Sequence, residues 1–185
     1  ANGAGASGNG GRIDLTFTGS TSQSIGAGVG NNQIGGLVAT AGTSGTGGTI
    51  FVDSTLGNAA LTLSGVLGAN PINVAPTNGA GGTININTGS GALVFDNTGN
   101  NVLLNASAAG TGVGGSITLN DGAITATSAN VFSTSAAGVG NAGNMLITGS
   151  GAVALGTMNA LGAGGGTGGA ISVTGASISM NNLIN

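Results

Sequence analysis

The chain has 185 residues, 42 of them glycine, one basic residue (Arg12), no Cys, His, Trp, Tyr or Glu, and a net charge of −3. One arginine cannot neutralise a phosphate backbone or anchor a polybasic segment on lipid, so no nucleic-acid partner is expected. Only 3% of residues are charged and mean hydropathy is +0.41, the reverse of charge-driven disorder, and no apolar run approaches the roughly 18 residues of a membrane span.

Glycine at this density reads as low complexity only when it is aperiodic, and here it recurs. In chain order the repeated element is Gly10-Gly11-Arg12-Ile13-Asp14-Leu15, Gly47-Gly48-Thr49-Ile50-Phe51-Val52, Gly81-Gly82-Thr83-Ile84-Asn85-Ile86 and Gly114-Gly115-Ser116-Ile117-Thr118-Leu119. A weaker copy, Ala142-Gly143-Asn144-Met145-Leu146-Ile147, precedes Gly168-Gly169-Ala170-Ile171-Ser172-Val173. The second glycines stand at 11, 48, 82, 115, 143 and 169, spaced by 37, 34, 33, 28 and 26. Such periods mark repeat architectures.

Two apolar positions recur after each anchor. The first holds Ile13, Ile50, Ile84, Ile117, Met145 and Ile171; the second holds Leu15, Val52, Ile86, Leu119, Ile147 and Val173. The position between them is mixed, and the next one outward is always polar. Alternation of period two predicts a strand with one buried face. A second short strand follows at Leu61–Leu63, Leu93–Phe95, Ile124–Ala126, Val153–Leu155 and Ile178–Met180. A third is expected at Ile72–Val74, Val102–Leu104 and Val131–Phe132, with Ile25 and Leu37-Val38 as the counterparts in the first repeat. Three strands per period, joined by Gly, Asn and Ser turns, describe a three-sided coil. A single coil buries little, whereas stacked coils align the Ile and Leu/Val columns into a continuous narrow core.

The expected fold is therefore all-β, a right-handed parallel β-helix of about six three-sided coils, with 1–185 as a single solenoid segment. Written before Ala1, the segment Asn181-Asn182-Leu183-Ile184-Asn185 reproduces the phase of Asn100-Asn101-Val102-Leu103-Leu104 before Gly114-Gly115, with 20 residues from Asn181 through Asn185 and on to Leu15 and 20 from Asn100 to Leu119. The anchor spacing across that join is 27. This predicts an end-to-end seam at Asn181, Asn182, Leu183, Ile184 and Asn185, and a chain that is one period of a longer array or filament. The opening Ala1-Asn2-Gly3-Ala4-Gly5 lacks the charged and apolar regions of a signal peptide.

The pattern Gly-x-Gly-Gly-x-Ile-x-[Leu/Ile/Val], clearest at 79–86, 112–119 and 166–173, resembles that of filamentous-haemagglutinin-like bacterial exoproteins of the two-partner secretion class. The resemblance implies a right-handed β-helix, export across the outer membrane, an extracellular or cell-surface location, and a role in adhesion, aggregation or biofilm. The partners it implies are neighbouring repeats, end to end and side to side, and host or matrix glycans. The family's Asn-Pro-Asn type motif is approached only by Asn70-Pro71-Ile72-Asn73, which departs at its third position.

Catalytic chemistry finds little to work with. Asp14 and Asp53 fall in successive repeats at offsets 3 and 5 from their anchors, which makes a paired-carboxylate, glycan-cleaving site conceivable, but the main expectation for them is solvated, outward aspartate. No copy carries the Gly-Gly-x-Gly-x-Asp calcium nonapeptide, and Gly164-x-Gly166-x-x-Gly169 matches a dinucleotide fingerprint only through glycine abundance. Thr16-Phe17-Thr18 and Thr125-Ala126-Thr127 do not form the aligned rank an ice-binding face requires. No enzyme activity, cofactor or metal is expected. Of the four phenylalanines, Phe17, Phe95 and Phe132 read as core or corner packing, and Phe51 as an outward contact between fibres or with a ligand.

Overall fold

Short runs of Ile, Val and Leu at alternate positions, bracketed by glycine, favour strands too short to stand alone and too apolar to stay unpaired. The computed structural model describes residues 1–26, 33–34, 36–64, 72–96, 102–182 and 184–185. It is a parallel β-helix built from three sheets, and eighteen strands, numbered in chain order, make up its described residues.

The first sheet takes the strand after each glycine anchor: β1 (Arg12–Thr16), β5 (Thr49–Asp53), β8 (Thr83–Asn87), β11 (Ser116–Asp121), β14 (Met145–Gly149) and β17 (Ile171–Thr174). The second holds β2 (Gln23–Ile25), β6 (Leu61–Ser64), β9 (Leu93–Asp96), β12 (Ile124–Thr125), β15 (Ala152–Leu155) and β18 (Ser177–Met180), with β3 (Gln33–Ile34) on the outer edge of β2. The third holds β4 (Leu37–Val38), β7 (Ile72–Asn73), β10 (Leu103–Asn105), β13 (Val131–Ser133) and β16 (Thr157–Asn159). All of the strand pairs are parallel. At about 4.8 Å per rung, six coils advance roughly 29 Å.

Register across the first sheet follows the two apolar columns. Ile13 pairs with Ile50, Ile50 with Ile84, Ile84 with Ile117, Ile117 with Met145 and Met145 with Ile171. In the four inner coils both columns are closed to solvent; in the terminal coils Ile13, Leu15, Ile171 and Val173 are only partly buried. The third sheet adds an inward column of Leu37, Ile72, Leu104, Phe132 and Met158. Phe95 and Phe132 meet edge to face at 5.0 Å where the second and third sheets converge, so both serve as core, and Phe17 packs against the core from the first coil.

The strands after the anchors lie where the alternation predicts them, and Ile25 and Leu37-Val38 belong to strands as expected. Two strands come in addition. β16 completes the third side of the fifth coil, and β3 gives the first repeat a fourth strand. Asn70 and Pro71 of the partial Asn-Pro motif, Asn100-Asn101 of the predicted phase comparison, and Leu183 of the predicted seam lie outside the described residues.

Each coil closes through its anchor. The amide of Gly48 donates to the Ala39 carbonyl, and Gly82, Gly115, Gly143 and Gly169 donate likewise to Val74, Ala106, Thr134 and Ala160. A Cβ at any of these anchors would collide with the carbonyl oxygen of the anchor one coil earlier: Gly11, Gly48, Gly82, Gly115 and Gly143 in turn. Close approach of backbone to backbone is what demands glycine here.

Candidate functional site

Three places carry chemistry: the outer face of the first sheet, the two ends of the stack, and one buried corner. On the outer face, between the apolar columns, run Asp14, Phe51, Asn85, Thr118, Leu146 and Ser172. Beside them runs the polar column Thr16, Asp53, Asn87, Asn120, Thr148 and Thr174. Neighbouring rungs bond sideways, Asn120 Nδ2 to Asn87 Oδ1 at 3.3 Å and Ser116 Oγ to Thr83 Oγ1 at 3.2 Å. The face is a ladder of hydroxyls and amides, flanked by Phe51 and the half-exposed Leu146.

Asp14 and Asp53 share this face in adjacent strands, offset by two residues, since Asp14 stands opposite Phe51 and Asp53 opposite Thr16. Each has its own partner. Arg12 Nε donates to Asp14 Oδ2 at 2.7 Å, which raises the Arg12 pKa, and Asp53 Oδ1 accepts from the Thr55 amide at 2.9 Å. The Arg12–Asp14 pair is solvated and contributes little to stability. The two carboxylates are thus held separately, Asp14 by a guanidinium and Asp53 by a turn amide. Among the described residues no three acids gather as a metal-binding group, and no helix is long and apolar enough to cross a membrane.

At the C-terminal end the last rung is open. The inward column Leu61, Leu93, Ile124 and Val153 ends on Ile178, which is 49% exposed, and Ile184 is 50% exposed. The predicted seam residues dock onto the coils beneath. The Asn181 amide donates to Leu155 O, its Nδ2 to Ala126 O, and Asn182 Nδ2 to Ser128 O. Ile184 bridges Met158 in parallel, and Asn185 Nδ2 reaches Asn159 Oδ1 at 3.2 Å. At the other end, Ala1 N donates to Val38 O and the Gly3 amide to Thr40 O. The first bond is the rung that Ala39 makes to Asn73 O one coil later.

The buried corner lies six residues after each anchor, where the first sheet turns toward the second. The column reads Phe17, Ser54, Thr88, Asp121, Gly149 and Gly175. Ser54, Thr88 and Asp121 are all closed to solvent. Ser54 Oγ donates to Ala59 O at 3.0 Å and Thr88 Oγ1 to Gly91 O at 2.6 Å, so each hydroxyl satisfies a corner carbonyl. Asp121 Oδ1 accepts from the Thr88 amide at 2.9 Å, while its Oδ2 has no hydrogen-bond partner among the described residues. Burial drives the Asp121 pKa up to about 7, against the opposing pull of the Thr88 hydrogen bonds. Asp14 and Asp53 stand on the outer face as expected for them, and Asp121, on which no expectation was placed, points into the coil. The signal was the column itself: an apolar, polar or small residue at a position that alternation makes inward.

The chain matches no protein-family model, no curated protein and no solved structure.

Proposed function

We propose that the chain is a non-enzymatic structural and adhesive repeat of an extracellular bacterial surface fibre, in which the β-helix serves as a stiff rod. The observation that carries this reading is the in-register stack of like rungs, in which each coil pairs in parallel with the one before it. Each coil offers the next the surface it received from the one before. A head-to-tail contact of this kind does not close on itself and builds filaments. The hydroxyl and amide ladders supply polar contact with neighbouring fibres or with glycans, and the low charge favours lateral association. The likeness of the glycine-anchored repeats to filamentous-haemagglutinin-like exoproteins supports the exported, cell-surface setting.

A second reading is a separate subunit that stacks end to end through Asn181–Asn185 against the first coil of another copy. The docking of Asn181, Asn182, Ile184 and Asn185 on the coils before them, as a further rung, supports it. The intact mass of the surface material after full denaturation tests both. A mass far above 16.8 kDa is expected for a covalent array. A species of 16.8 kDa that reforms fibres when denaturant is removed supports the stacking subunit, and one that forms no fibres overturns both readings.

A further inference from the structure

Ser54, Thr88 and Asp121 occupy one internal column, yet only the first two are chemically matched to it. A hydroxyl in this corner brings its own proton and donates it to a carbonyl of the same turn. A carboxylate brings none. Asp121 spends one oxygen on the Thr88 amide and leaves the other buried and, among the described residues, without a partner.

The surroundings offer no countercharge. Just past the end of β8 the carboxyl meets Thr88, and across the rung in β14 it pairs with Gly149. The room a Cβ at Gly149 would need is taken by a Val153 methyl from β15. None of these groups titrates. The charged side chains lie elsewhere: Arg12, Asp14 and Asp53 on the outer face of the first two coils, and Asp96 at the end of β9, where it accepts from Ser64 Oγ. An ionised Asp121 therefore stands uncompensated in the fourth of six rungs, with packed coils on both sides.

We propose that Asp121 is a proton-operated latch of the stack, carrying a proton on Oδ2 when the coil is closed and weakening the middle of the rod when it ionises. The sign follows from the direction of the shift. The folded chain holds the proton up to about pH 7, whereas the unfolded chain releases it near the ordinary value of 3.8. Stability from the protonated carboxyl is thus complete below pH 3.8, declines as pH rises, and is lost above about 7. The unfolding equilibrium constant rises across that window by up to about a thousandfold. The fourth coil therefore adds more to the stability of the stack in acid than above neutral pH.

The test is urea unfolding of the full chain at pH 4.5 and pH 8, wild type beside Asp121→Thr, which installs the hydroxyl that Thr88 carries one coil earlier. The wild-type midpoint is expected to fall between the two pH values, and the fall to be largely absent in Asp121→Thr. An equal fall in both overturns the proposal. Should the variant not fold, the wild-type carboxyl carbon of Asp121, assigned by through-bond correlation to its own amide, decides by NMR titration. An apparent pKa near 7 supports the latch, and a value in the ordinary aspartate range overturns it.

Discussion

A side chain at an anchor glycine has nowhere to go. The Cβ of residue 115 would run into the Gly82 carbonyl, and that of residue 143 into the Gly115 carbonyl. Gly168, one residue before an anchor, is different: a Cβ there stands 3.4 Å from the Ala160 carbonyl, an ordinary contact. Gly115→Ala is therefore expected to cost about 1–3 kcal/mol through forced backbone movement, and Gly168→Ala to change stability little. Urea midpoints of the two variants check the difference. The anchors were legible because they recur on one spacing. Asp121 was not, because a carboxylate ordinarily belongs outside, although the alternation of β11 runs on to its position and makes it inward. The hydroxyls of Ser54 and Thr88 in the same column reveal its inward direction once the coils are aligned.

At the scale of the strand, stability depends on the rung. Ile84 in β8 is fully buried with a strand on each side, whereas Ile171 in β17 has a partner on one side only and is partly exposed. Ile84→Ala is expected to cost about 2–5 kcal/mol, as for other fully buried aliphatic residues, and Ile171→Ala distinctly less. Comparing their unfolding free energies in denaturant checks this, and equal losses would mean that the rungs are not stacked in this order. Strands of four or more residues announce themselves by alternation, as β5, β8 and β11 do. β16 has a single buried residue, Met158, between two polar ones, too short a pattern to stand out from the turns around it. β3, with two residues, carries no period at all.

For the whole molecule, strength is collective. Each coil is thin, glycine-rich and unable to bury its own apolar face, so cohesion comes from repeated contact between neighbours. The second and third sheets were foreseen in outline because their strands return at the same period as the anchors. Ile178 belongs to the inward column by register with Val153, although among the described residues it is half exposed. The outer face carries polar ladders interrupted by Phe51 and Leu146, the surface that the proposed fibre would present.

The coil-on-coil order is tested most directly by spin-label distances along one outward column, which a chain free of cysteine permits. Asp14→Cys paired with Leu146→Cys spans four rungs, and Asp14→Cys paired with Ser172→Cys spans five. Backbone separations of about 19 Å and about 24 Å follow, so the two label-distance distributions should be narrow and differ by one rung, about 5 Å. Equal distances, or a shorter one for Ser172 than for Leu146, would contradict the stacked β-helix.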